Sequence, residues 1–286
     1  MSYNPLTGLV YLPTIHMSVR YSDAGIDPKT WRSIPFVGGM AVTASDYAGA
    51  PETPYPASLQ AWDPITQKAV WSVPQENYWN SGTLTTAGNL VFQGHANGHF
   101  VAYDARSGAL EWDVDLGLGI SAPPITYRLD GRQYITLLVG FGGGVAGLGG
   151  AANLGWTYGI HQRRLVAFSL EGEQTLPEQP DPYFPIPIDP PDFKIDPALA
   201  QQGAAVYGPC SACHGRGATA SGMAPDLRAS PIPLIEKLFT EVVSRGTRLH
   251  RGMPAYPRLG AEQLKALRHF IRQCARTGGA GDAGAR

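Results

Sequence analysis

The chain has 286 residues and a formal net charge of −1, which leaves no basic surface for nucleic acid, and no apolar run long enough to span a bilayer. Glycine (35) and proline (25) together make about a fifth of the residues, a share that suits a turn-rich β domain plus a linker rather than a disordered chain. The length accommodates two domains.

The first strand signal is Gly8-Leu9-Val10-Tyr11-Leu12, after a Pro-Leu-Thr-Gly turn. Two segments then align. Leu59-Gln60-Ala61-Trp62-Asp63-Pro64-Ile65-Thr66 ends at Trp71, and Phe100 to Gly108 ends at Trp112. Ala61, Asp63 and Trp71 match Ala102, Asp104 and Trp112 at an offset of 41 residues. A weaker third copy, Leu165 to Gly172, has Ser169 in place of the aspartate. In the two aligned copies an apolar strand ends at an Asp-centred turn and the next strand ends at a tryptophan that can pack between adjacent blades. A period near 40 with short strands is the mark of a propeller blade.

Leu90 to Gly94 and Tyr134 to Val139 supply further strands. The second is apolar on both faces, as expected of an inner strand buried between blades. Trp79 and Asn80 precede an inner strand and could face the propeller mouth, although packing between blades suits Trp79 better. His95, His99 and His161 read as surface or turn histidines. Residues 1–172 hold three to four copies, whereas a propeller normally closes with at least four. An open stack exposes strand edges and a blade face. The chain also enters in mid-pattern, so the expectation is the C-terminal part of a larger propeller.

Residues 173–197 contain eight prolines and no periodicity, and are expected to form a stiff, extended linker. Asp196-Pro197 then offers an N-cap followed by proline at the first helical position, starting a helix over Ala198–Tyr207. It leads to Cys210-Ser211-Ala212-Cys213-His214, a Cys-x-x-Cys-His run that reads as a c-type haem attachment site. The cysteine sulfurs can reach the two vinyl groups of one haem, and His214 can ligate its iron from the same turn. A disulfide, a redox pair or half a zinc site are the other readings of two cysteines at this spacing.

Electron transfer by such a haem needs a second axial ligand, and methionine opposite histidine raises the potential. Met253, in Arg251-Gly252-Met253-Pro254-Ala255-Tyr256, lies about forty residues past His214, the distance at which a small cytochrome c returns on the far face. Met223 and His250 are its rivals. Within Met223-Ala224-Pro225-Asp226-Leu227 the carbonyl of Pro225 is placed to accept the other ring N–H of His214; an ordinary loop is the alternative. Helices are expected over Ile232–Ser244 and Glu262–Arg276, with Cys274 as a small buried hydrophobe and residues 277–286 as a disordered tail.

Residues 1–13 (MSYNPLTGLVYLP), 80–94 (NSGTLTTAGNLVFQG), 100–108 and 121–127 (SAPPITY) resemble the PQQ-dependent quinohaemoprotein alcohol dehydrogenases, and the linker and haem region follow in the same order. The resemblance implies a multidomain fold: an all-β, eight-bladed-type propeller carrying pyrroloquinoline quinone (PQQ) and Ca2+, then an all-α cytochrome c domain. It implies oxidation of an alcohol to an aldehyde, with electrons passing from the quinone through haem c to an external acceptor, a small redox protein or quinone. In that family the calcium ligands, the catalytic aspartate and a ring of adjacent cysteines lie in the N-terminal half. None can be assigned here, so no catalytic residue is expected in this chain. The resemblance places Gly142 and Gly143, in the run Phe141-Gly142-Gly143-Gly144, where the last blade nears the quinone; a flexible turn is the plain alternative.

Haem c is attached outside the bacterial cytoplasm, so the complete protein is expected in the periplasm. Yet Met1-Ser2-Tyr3-Asn4-Pro5 lacks the basic and apolar regions of an export signal. The expectation is therefore a partner N-terminal half, on another chain or in a longer reading frame. The competing expectation is a non-catalytic mono-haem electron carrier with a residual β scaffold. A purely structural propeller fragment is disfavoured by the haem motif.

Overall fold

The computed structural model describes residues 1–22, 29, 43–49, 57–77, 79–140, 159–220, 222 and 224–281. Antiparallel sheets come first, and helices follow. The first sheet has the order β1 (Ser2–Asn4), β2 (Leu9–Ile15), β5 (Ala57–Asp63), β6 (Lys68–Gln75), and a separate hairpin of β3 (Met17–Ser22) and β4 (Thr43–Gly49) interrupts it between β2 and β5. The second runs in chain order through β7 (Thr83–Thr85), β8 (Leu90–Gly94), β9 (His99–Asp104) and β10 (Leu110–Asp115). The third holds β11 (Ile125–Leu129), β12 (Arg132–Val139) and β13 (Arg164–Phe168).

The repeat read in the sequence has a local cause. Asp63 accepts from the amides of Ile65 (2.8 Å) and Thr66 (3.2 Å) and from the Thr66 hydroxyl. Asp104 accepts in the same way from Arg106 and Ser107, at 3.0 and 2.8 Å. These bonds close the turn joining two strands and hold both carboxyls below the usual aspartate range. The turn also needs one left-handed residue, which is Gln67 (φ 55°) in the first copy and Gly108 (φ 75°) in the second.

The two tryptophans pack onto the following sheet. Trp71 donates its indole N–H to the Ala105 carbonyl at 3.1 Å and lies against Gly108. Trp112 meets Phe168 edge-on, ring centroids 5.4 Å apart. Two cores result. Tyr11, Leu59 and Ala61 pack against Val91, Val101 and Tyr103 between the first two sheets. Phe92, Phe100 and Ile120 pack against Leu137, Val139 and Val166 between the second and third. Each large apolar side chain so buried contributes about 1.5–3 kcal/mol.

The second sheet is therefore covered on both faces. The third is not, and this corrects the expectation for Tyr134–Val139: Leu138 is 56% exposed. Register aligns Ile125 with Thr136, Tyr127 with Tyr134 and Leu138 with Leu165 on that open face, and Leu165 is 71% exposed.

Residues 177–183 are bonded back to the β region. Ile160 and Tyr183 exchange backbone hydrogen bonds at 2.9 and 3.1 Å, and Arg164 donates to the carbonyls of Pro177 and Glu178. Asp196 then caps α1 (Pro197–Val206) through the amides of Ala198 and Leu199. Next come α2 (Gly208–His214), α3 (Glu236–Val243) and α4 (Ala261–Gly281).

Two helix expectations need correction. Ile232–Ser244 is not one helix: a 3-10 turn over Ile232–Leu234 precedes Ile235, whose backbone is extended (φ −109°, ψ 102°), and α3 starts after it. Pro233 disfavours the α conformation at Ile232 before it, and the extended Ile235 breaks the path to α3. The last helix passes Arg276 and reaches Gly281, into the stretch expected to be disordered. The crossing of α4 over α1 is very close: a Cβ on Gly203 would lie 2.1 Å from the Ala266 carbonyl oxygen.

Candidate functional site

Cys210, Cys213 and His214 occupy positions i, i+3 and i+4 of α2, and so share one face of a single turn. Gly215, with φ 75°, ends the helix and turns the chain away. That face lines a cavity of about 410 Å³, walled mainly by apolar groups that include Phe239, Val242, Leu267 and Ile271. Met253 lines the same cavity. It is presented by a 3-10 turn over Leu249–Arg251 that stops at left-handed Gly252 (φ 85°). Tyr256 ties this loop to α3 by donating its amide to the Val243 carbonyl at 2.8 Å.

His214 is buried, and its Nδ1 lies 2.8 Å from the Pro225 carbonyl oxygen. A carbonyl only accepts, so Nδ1 carries the proton and Nε2 keeps its lone pair. Burial lowers the His214 pKa, against the Pro225 hydrogen bond and the Asp226 charge. Burial pushes the Cys210 thiol up to about 11, with the neighbouring Cys213 adding to the shift. The surroundings therefore favour neutral sulfur, which suits a thioether better than a metal thiolate. No disulfide joins the cysteines. Among the described residues no cluster of three His, Cys, Asp or Glu could hold a metal ion, so the zinc reading has no further donor. A largely apolar cavity, a histidine with one ring nitrogen engaged and the other available, and two thiols on one helical turn fit a covalently held haem.

Of the rival ligands, His250 is exposed and does not border the cavity, and Met223 lies outside the described residues. Cys274 is half-buried at the edge of the helical core, as a small hydrophobe would be. Gly142 and Gly143 also lie outside the described residues. Asn80 is fully used within the sheet region: its amide donates to Gln75 and to the Asn77 carbonyl, and its oxygen accepts from the Ala96 amide.

His95 departs from its reading as a surface histidine. It sits mostly buried beside Gln75 and the Tyr103 hydroxyl, and burial drops its pKa to about 4. Spacing gave no sign of this, because the groups around it come from β6 and β9. The sequence also gave no signal for the buried pair Asp226–Arg228 or for Arg272, whose partners lie far apart along the chain.

Residues 57–135 match the β-propeller domain model of PQQ glucose/ethanol/alcohol dehydrogenases, and residues 198–271 match the model for cbb3-type cytochrome c oxidase subunit III. Quinohemoprotein alcohol dehydrogenase ADH IIB of Pseudomonas putida is 37% identical over 95% of this chain and 39% of its own length. The Comamonas testosteroni quinohemoprotein alcohol dehydrogenase is 37% identical over 95% of the chain and 38% of its own length. The solved structure of P. putida ADHIIG superposes with a TM-score of 0.74 at 34% identity, covering 96% of this chain and 41% of that one. This chain thus spans about two-fifths of the length of the curated relatives it matches. Among the described residues no helix is long and apolar enough to cross a membrane. With propeller-type sheets followed by a cytochrome c-type helical region, which implies haem c, the chain is homologous to the C-terminal portion of the quinohemoprotein alcohol dehydrogenases.

Proposed function

We propose that this chain works as the C-terminal part of a PQQ- and haem c-dependent alcohol dehydrogenase of the periplasm. Residues 1–172 would supply three to four blades of an eight-bladed-type propeller, residues 173–197 the linker and residues 198–276 the cytochrome c domain. The observation that carries the reading is the meeting of Cys210, Cys213, His214 and Met253 on one largely apolar cavity, with His214 oriented by Pro225. Cys210 and Cys213 would hold the haem covalently, and His214 Nε2 and Met253 Sδ would ligate its iron. When bound, haem c supplies a one-electron centre that relays electrons from the quinone site to an external acceptor. Phe239, Val242, Leu267 and Ile271 exclude water from the site, which favours a high potential.

The alcohol-oxidising centre, with PQQ and Ca2+, would be completed by an N-terminal propeller part. One feature supports that partner. The outer face of the third sheet presents Ile125, Tyr127, Leu129, Leu138 and Leu165 to solvent. A further propeller sheet packed there would cover them as the second sheet covers the first.

The test is expression with haem-maturation factors, followed by pyridine haemochromogen assay, redox titration and alcohol-dependent dye reduction. Covalent haem is expected, with no alcohol oxidation until the N-terminal part of a relative, PQQ and Ca2+ are added. Met253→Ala should lower the potential. Absence of covalent haem, or alcohol oxidation by the chain alone, refutes the reading. A haem protein that complementation never activates supports the electron-carrier alternative instead.

A further inference from the structure

The loop that carries the Pro225 carbonyl is held by buried charged groups. The Asp226 and Arg228 side chains are almost wholly buried, only two residues apart. The Asp226 carboxylate accepts from the Ala220 amide at 3.1 Å, from the Arg228 amide at 2.9 Å, and from the Arg228 guanidinium at 3.0 and 2.9 Å. Directly beneath, Arg272 of α4 is completely buried and donates to the Leu227 carbonyl at 2.6 Å and the Ile188 carbonyl at 2.7 Å. Ile188 in turn donates its amide to the Arg228 carbonyl at 2.9 Å. One residue on, Asp189 receives a two-pronged contact from Arg276 at 2.9 and 2.8 Å. The linker is thus bonded to the same four-residue loop that orients His214.

Two guanidiniums and one carboxylate share this buried layer. A buried ion pair adds little net stability compared with apolar residues of the same volume. What it does supply is fixed direction: Asp226 holds the amides of Ala220 and Arg228, and Arg272 holds the carbonyls of Leu227 and Ile188.

We propose that Asp226, Arg228 and Arg272 are positioning residues for His214, fixing the Pro225 carbonyl against its Nδ1–H and coupling that bond to the seated linker. The proposal rests on the reading of His214 as the haem ligand. A firm acceptor makes the imidazole a stronger donor to iron and favours the oxidised state. Loosening the loop should therefore raise the haem potential. Linker seating would then tune the haem that sits beyond it.

The experiment uses the full haem-loaded chain and three variants: Asp226→Asn, the Asp189→Ala/Arg276→Ala pair, and Arg268→Gln as a control. Arg268 lies on α4 but bonds Pro233, Leu234 and Glu236, away from this loop. Covalent haem content is measured first; if the wild-type chain lacks haem, the underlying reading fails, separately from this one. Hydrogen exchange of the His214 ring N–H and the reduction potential are then read by NMR and redox titration. Expected for Asp226→Asn is ring N–H exchange at least tenfold faster with a raised potential. The exposed linker pair should give a smaller change of the same sign, and Arg268→Gln none. Unchanged exchange and potential in haem-loaded Asp226→Asn would overturn the proposal. Should that variant not fold, the linker pair decides, and wild-type values there overturn it equally.

Discussion

Replacing Gly203 by alanine tests the helical framework of the haem cavity by the sign of its effect. In an exposed helix interior, glycine to alanine stabilises by about 0.8–1 kcal/mol, because alanine loses less backbone freedom on folding. At Gly203 the added Cβ would stand 2.1 Å from the Ala266 carbonyl oxygen, 2.6 Å from its carbon and 2.7 Å from the Phe270 Cβ. Two of these atoms are backbone of α4 and cannot rotate aside. Relief requires α1 and α4 to part by more than about 1 Å, an overpacking that costs roughly 1–3 kcal/mol or more. Separation would also disturb the tilted contact of Tyr207 with Phe270, whose ring centroids are 4.8 Å apart, and the buried Leu267 and Ile271 that line the cavity. The net expectation is a loss of about 2 kcal/mol, measured by urea unfolding of the haem-loaded chain followed through the haem absorption. Gly208→Ala is the control: nothing lies within 4 Å of a Cβ there, so it should be neutral or stabilising. A gain in stability from Gly203→Ala, matching the propensity increment, would refute the close crossing.

Other expectations follow from the sheets. His95 is held neutral, with a folded pKa of about 4 against about 6.5 unfolded. The unfolded state therefore binds more protons between these values, and stability falls as pH drops from about 6.5 to about 4, by roughly 3 kcal/mol in total. His95→Gln should flatten that slope in chemical unfolding at a series of pH values; an unchanged slope would mean the ring is not buried. Gln67→Gly should stabilise by up to about 1 kcal/mol in thermal unfolding, since Gln67 holds the left-handed position that glycine fills in the next repeat. Gly108→Ala at that equivalent turn should cost at least 1–2 kcal/mol, because its Cβ would meet the Trp71 ring at 2.8 Å; a neutral result would show that Trp71 does not pack on this turn.

Much of the architecture was legible where its cause is local. The Asp-centred turns, the 41-residue offset and the Asp196-Pro197 cap depend on bonds within a few residues, and the structure shows those bonds. The Cys-x-x-Cys-His run points to its cofactor for the same reason: three groups within five residues on one helical turn. Misreadings arose where periodicity was asked to decide alone. Leu234, Leu238 and Val242 keep helical spacing, but the backbone is extended at Ile235 between Leu234 and the other two. Tyr134–Val139 is apolar on alternate and intervening positions alike, yet among the described residues only one of its faces meets another sheet.

The sequence by itself determined the cofactor motif, the repeat and the order of the two parts, because covalent spacing and turn chemistry are written along the chain. Only the tertiary structure decided which of these residues meet. It brings Met253 to the cavity of His214, buries His95 among groups from β6 and β9, and sets Arg272 between Ile188 and Leu227. Those juxtapositions depend on how helices and sheets cross, and crossing geometry is set by packing summed over many distant residues, which no local pattern records.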